Sequence, residues 1–88
     1  LEPTAARFSG HGAVLYALGR VAEAAKIEAL AVATAPEHAG FRWALVVSLV
    51  RLGRRDEARV HADELLRLAP GVYDERVARA LSSSGRSS

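Results

Sequence analysis

The stretch LGRVAEA, Leu18–Ala24, returns as LGRRDEA at Leu52–Ala58, 34 residues later. No other feature constrains the fold so tightly. Carried outwards at the same offset, the alignment also pairs Ala5 with Ala39, Leu15 with Leu49, Ala35 with Ala69 and Pro36 with Pro70. Two copies of one unit within 88 residues leave room for one small domain. A unit of that size cannot bury its apolar side alone, so the copies must stack.

Each matched residue type has a local reason. Gly19 and Gly53 follow apolar helical stretches, where a glycine ends a helix at the least steric cost. Glu23 and Glu57 fall in the first turn of the next helix, facing its free N–H groups and the positive end of its dipole. Pro36 and Pro70 stop that second helix because proline cannot extend the hydrogen-bond ladder. The unit reads helix, glycine turn, helix, proline turn. It predicts helices at about Ala5–Leu18, Ala22–Thr34, Ala39–Leu52 and Asp56–Leu68, with a fifth at about Tyr73–Leu81. Composition agrees: 18 alanines against 5 aromatic residues favour close-packed helices.

A helical hairpin repeating every 34 residues resembles the tetratricopeptide repeat (TPR) family. The second copy carries Leu45, Leu49, Gly53, Ala58, Leu65 and Pro70 at the family's characteristic places, and the first carries Gly12, Leu15, Gly19, Ala24, Ala31 and Pro36. The resemblance implies an all-α, right-handed α-solenoid of two helix-turn-helix repeats with a fifth, capping helix. Residues 1–81 would form that domain: repeat one at about 5–36, repeat two at about 39–70 and the cap at about 73–81. Residues 82–88, SSSGRSS from Ser82, read as a flexible tail or linker. Some positions depart from the family pattern. His11 stands where leucine is usual, Val46 replaces a small residue, and Glu28 and Ala62 replace a buried aromatic. Each repeat therefore looks under-filled. Leu15, Ile27, Leu30, Leu45, Leu49, Leu52, Leu65, Leu66 and Leu68 are the expected apolar contributors, with Val77, Ala80 and Leu81 of the fifth helix closing the stack.

No set of residue types in the sequence converges on a catalytic or metal-binding pattern. The chain has no cysteine, which removes disulfides and thiolate metal sites. His11, His38 and His61 lack metal-ligand spacing, and half-buried or solvated positions account for them. Gly10-His11-Gly12 follows no strand and lacks the third glycine of a phosphate loop. Asp63 and Glu64 are neighbours that diverge on a helix. No cofactor, metal or catalytic residue is expected, so the chain reads as non-enzymatic. No uncharged apolar run is long enough for a membrane span, and no leader pattern opens the chain. A cytoplasmic, bacterial setting is the expectation, as a piece of a longer chain since it begins without methionine. The net charge is only +2, with acids interleaved among the bases, so nucleic-acid binding through Arg51, Arg54, Arg55 and Arg59 is a remote alternative.

In the family, the first helix of each pair lines a concave groove that receives a peptide or helix. The resemblance places Ser9, Ala13, Tyr16 and Ala17 of the first repeat on that face. Trp43, Ala44, Val47, Val50 and Arg51 follow from the second, and Asp74, Val77 and Ala78 from the fifth helix. Trp43 and Tyr16 would be the anchors, with packing between the repeats as the other reading of Trp43. The leading function is protein–protein interaction in that apolar groove. The alternative is a regulatory or self-associating segment of a larger bacterial signalling protein, such as a nucleotide cyclase, with homo-oligomers through the groove or the repeat ends.

Overall fold

The computed structural model describes residues 4–84. Five α-helices follow one another: α1 (Thr4–Ala17), α2 (Val21–Thr34), α3 (Ala39–Arg51), α4 (Arg55–Leu68) and α5 (Asp74–Ser84). No strand occurs among the described residues. The pairs α1/α2 and α3/α4 are the two repeats, α2 packs on α3, and α5 lies against both α3 and α4. The resulting body is elongated, 43 × 30 × 17 Å, as expected of a stack rather than a sphere. The fold is an all-α repeat solenoid.

The repeated heptapeptide now has a physical account. Gly19 and Gly53 sit at φ 84° and 78°, the left-handed region that glycine alone enters freely. Around each, the same two hydrogen bonds close the preceding helix. Gly19 N–H donates to the Tyr16 carbonyl and Arg20 N–H to Leu15; Gly53 donates to Val50 and Arg54 to Leu49. That pair of bonds is the Schellman motif. The arginine after each glycine then grips the glutamate three residues on. Arg20 Nε and Nη2 reach Glu23 at 2.5 and 2.9 Å, and Arg54 reaches Glu57 at the same two distances. The alanines that end the heptapeptide, Ala24 and Ala58, are fully buried where the paired helices cross. Leucine, glycine, arginine, glutamate and alanine thus recur because each makes one part of the same corner.

The other ends of the hairpins differ. Helices α2 and α4 are followed by the C-cap residues Ala35 and Ala69, just ahead of Pro36 and Pro70. His38 caps α3: its Nδ1 accepts the Phe41 N–H at 3.3 Å and its ring stacks on Phe41 at 3.6 Å. Asp74 begins α5 and accepts the Gly71 N–H at 2.8 Å, with Gly71 itself left-handed at φ 82°.

Two apolar clusters form the core. Ala25, Val32, Leu45, Leu49 and Ala58 hold the junction between the repeats. Val46, Ala62, Leu65 and Val77 join the second repeat to α5. Several expectations need correction. Leu30 is 46 % exposed and contributes no core, because α2 turns that side away from both neighbours. His11 is exposed rather than half-buried. Helix α5 runs on through Ser82 to Ser84, where a flexible tail was expected, and residues 85–88 of that tail lie outside the described residues.

Candidate functional site

The groove face is built by the first helix of each pair together with α5. An open cavity of about 340 Å³ lies there. Helix α3 supplies half of the lining residues: Trp43, Val47, Val50 and Arg51. Helix α1 contributes Tyr16, and α5 contributes Arg76, Arg79 and Ala80. The spacing of four, three and one along α3 puts all its contributors on one stripe. Tyr16, Trp43, Val47, Val50 and Ala80 are half-buried, and the three arginines are exposed.

Trp43 divides its surface. One part packs on the cluster of Val46, Ala62, Leu65 and Val77, and its ring lies 5.8 Å from that of Tyr73 in a tilted pair. The remainder faces the cavity. Tyr16 is covered from one side by the Arg51 guanidinium, 5.2 Å from the ring centroid. Arg76 stands 5.4 Å over the Tyr73 ring in the same way. Both are cation–π contacts, which orient a guanidinium without neutralising it.

The other residues expected on this face are placed differently. Ser9, Ala13 and Ala17 occupy on α1 the positions that Trp43, Val47 and Arg51 hold on α3, yet they do not line the cavity. Ala44 is half-buried on α3. Val77 is only 4 % exposed and belongs to the core, so its assignment to the groove is corrected: α5 seals the second repeat with that residue. Asp74 serves the start of α5, and Ala78 is exposed away from the cavity. Arg76, Arg79 and Ala80 were missed as groove residues. The longer loop before α5, with its left-handed Gly71, shifts the helix out of the 34-residue register, and the sequence carries no signal of that shift beyond Gly71 itself.

The structure also disperses the basic cluster at the second glycine turn. Arg51 rests on Tyr16, Arg54 binds Glu57, and Arg55 donates to the Leu81 carbonyl at 3.0 Å. These side chains do not converge on one phosphate-sized site. No group of histidine and carboxylate side chains is arranged for a metal ion among the described residues. None of the helices is long and apolar enough to cross a membrane.

Two buried polar contacts fix how the elements meet. Ser48 on α3 is fully buried and its hydroxyl donates to Glu28 Oε1 on α2 at 2.6 Å. Burial raises the Glu28 carboxyl above its usual range, and the Ser48 bond acts in the opposite sense. Arg42 is 9 % exposed, donating from Nη2 to the Pro36 carbonyl at 3.0 Å. Its Nη1 lies 3.1 Å from His61 Nδ1. A guanidinium has no acceptor, so Nδ1 must be the accepting nitrogen and His61 neutral. Burial, and then the Arg42 charge, lower the His61 pKa in keeping with that.

The tetratricopeptide repeat family model matches residues 15–83, from the end of α1 into α5. The chain belongs to the tetratricopeptide repeat family. TPR units mediate protein–protein interaction and are typically non-catalytic. No curated protein and no solved structure matches the chain. Within this TPR pair, the matched span takes in both glycine corners, all of α3, and the three arginine and alanine positions of α5 that border the cavity.

Proposed function

We propose that the chain is a non-catalytic interaction module that holds a peptide or an amphipathic helix in the groove between α1, α3 and α5. The observation that carries this reading is the convergence of half-buried Tyr16, Trp43, Val47, Val50 and Ala80, from three separate helices, on one open cavity. Apolar side chains from separate elements that meet at a concave surface offer a partner an interface core, with Trp and Tyr as its anchors. Val60 and Val72, also large, apolar and exposed, stand on separate elements away from this cavity.

Selection from a random peptide library displayed on phage tests the reading, with Tyr16→Ala/Val47→Ser as the control protein. Trp43 is the only tryptophan, so its emission reports directly on the groove. Enriched peptides should shift that emission and bind the control about tenfold more weakly, the loss of one good anchor. Peptides that bind both proteins equally, or leave Trp43 emission unchanged, would sink the groove reading.

A second reading, self-association or contact with an adjoining part of a parent protein, rests on the outer face of α1. Val14 and Leu18 are 57 % and 65 % exposed there. Their counterparts 34 residues on, Ser48 and Leu52, are covered by α2. Sedimentation across a range of concentrations decides: a constant monomer mass that Leu18→Lys does not alter removes self-association.

A further inference from the structure

The described arginines fall into three groups. Arg20, Arg54 and Arg67 each hold a carboxylate three residues away in an exposed ion pair. Arg42 and Arg55 are spent on backbone carbonyls and His61. The three that border the groove, Arg51, Arg76 and Arg79, have no carboxylate partner among the described residues. Arg7 and Arg59 share that lack but stand apart from the cavity. No acidic residue lines the cavity, so three positive charges border an apolar floor with no carboxylate among the lining residues. Two of them are also held in place by tyrosine rings, which lowers the rotamer entropy lost when they meet a ligand.

Resting on the groove reading, we infer that this rim selects acidic segments. The occupant is a peptide whose apolar side chains enter between Trp43, Val47 and Val50, while Asp or Glu side chains on its flanks meet Arg51, Arg76 and Arg79. A carboxylate matches the guanidinium fork in two parallel hydrogen bonds, which ammonium or amide groups on a partner cannot reproduce. Partly shielded by the apolar floor, such pairs act more strongly than the solvated pairs on the outer helices. A basic segment with the same apolar pattern is rejected by like-charge repulsion.

The test uses three acetylated, amidated peptides of equal length. They share one leucine pattern at helical spacing and carry Glu, Gln or Lys at the flanking positions. Amidation removes the terminal carboxylate, so any preference belongs to side chains. Titration followed by Trp43 emission at low salt should rank Glu over Gln by about tenfold, as charge-assisted bonds outweigh neutral ones. Lys should bind weakest. The Glu advantage should collapse in 1 M salt, where the screening length is about 3 Å. Arg51→Gln/Arg76→Gln/Arg79→Gln, all exposed positions, should erase the ranking and leave the Gln peptide unchanged. Equal binding of Glu and Gln peptides, or a Glu preference that survives in the triple variant, overturns the arginine rim and leaves the groove standing. Failure of all three peptides to perturb Trp43 counts against the groove itself.

Discussion

Where α1 crosses α2, Gly12 meets the side chain of Glu28; where α3 crosses α4, the equivalent pair is Val46 and Ala62. A methyl group added at Gly12 would lie 2.6 Å from Glu28 Cγ, so the first crossing has a minimal residue on one side and a long one on the other. The second reverses the division, with the larger residue on α3 and the smaller on α4. Both crossings are closed: Glu28, Val46 and Ala62 are 3 %, 0 % and 1 % exposed. Position by position, Val46 looks oversized and Ala62 undersized for the repeat. Taken as a pair they bring the two crossings to within about one methylene of each other in volume, close to what interiors packed at crystal-like density require. The polar end of Glu28 has a further role, because its carboxyl accepts the Ser48 hydroxyl and ties the first repeat to the second.

Exchanging residues between the two crossings tests this account. The largest effect is predicted for Ala62→Glu, which places repeat one's long residue opposite Val46. Overpacking and the burial of a carboxylate together should cost about 4 kcal/mol. Thermal denaturation followed by circular dichroism reads the loss, and a melt near the parental temperature would show that the two crossings are not volume-matched. Leu65→Ala comes next, giving repeat two the residue that Ala31 supplies in repeat one. Leu65 is completely buried, so a loss of about 3 kcal/mol in urea denaturation is expected. Recovery to parental stability would mean that α4 can collapse onto the smaller residue.

Gly12→Ala gives a smaller effect whose sign depends on its partner. Helix propensity favours alanine by about 1 kcal/mol, while contact with Glu28 costs about 1–3 kcal/mol. The single variant should be destabilised by about 1 kcal/mol, and in a Glu28→Ala background the same change should stabilise. A double-mutant cycle that is additive would break the pairing of these positions.

The buried carboxyl also sets a pH dependence. Its pKa in the folded chain is raised, so the native state holds its proton more tightly than the unfolded chain does. That contribution to stability is complete below the unfolded value of 4.5 and is lost as pH rises through the folded pKa. Glu28→Gln keeps an acceptor for Ser48 and removes the ionisation. Its stability relative to the parent should increase from pH 4 to pH 8, measured by denaturant midpoints. The exposed Glu23, Glu57 and Glu64, whose pKa values their arginine partners lower, act in the opposite sense and cancel in the difference. A constant difference across that range would refute the assignment.

The smallest change is predicted for Leu18→Ser. Leu18 is 65 % exposed, so its stability should stay within about 0.5 kcal/mol of the parent. Leu52→Ser, at the same place in the second repeat, should cost several times more because Leu52 packs on the junction cluster.

How much of this was legible beforehand depends on the range of each interaction. The corners at Gly19 and Gly53 could be read because every partner lies within five residues, so a repeated word specifies a repeated geometry. Their neighbours Arg20 and Arg54 were readable as repeats, though the carboxylate grip became visible only with side chains in place. His38 and His61 look equally solvated in the sequence. One caps α3, and the other accepts from an arginine 19 residues away on another helix. The groove was legible along α3, where one stripe of one helix supplies Trp43, Val47, Val50 and Arg51. Along α5, Val77 and Leu81 were legible as residues that close the stack, but Arg76 and Arg79, which border the cavity, were not legible as groove residues.

The sequence by itself determined the helices, their corners and the repeat that stacks them, since each depends on backbone preferences and contacts between near neighbours. Tertiary structure alone decided which residues of α5 border the cavity, how volume is shared between Gly12 and Glu28 or Val46 and Ala62, and which arginines are left without a carboxylate. Those outcomes depend on distances between residues far apart in the chain, and a local pattern holds no information about them until the helices have packed.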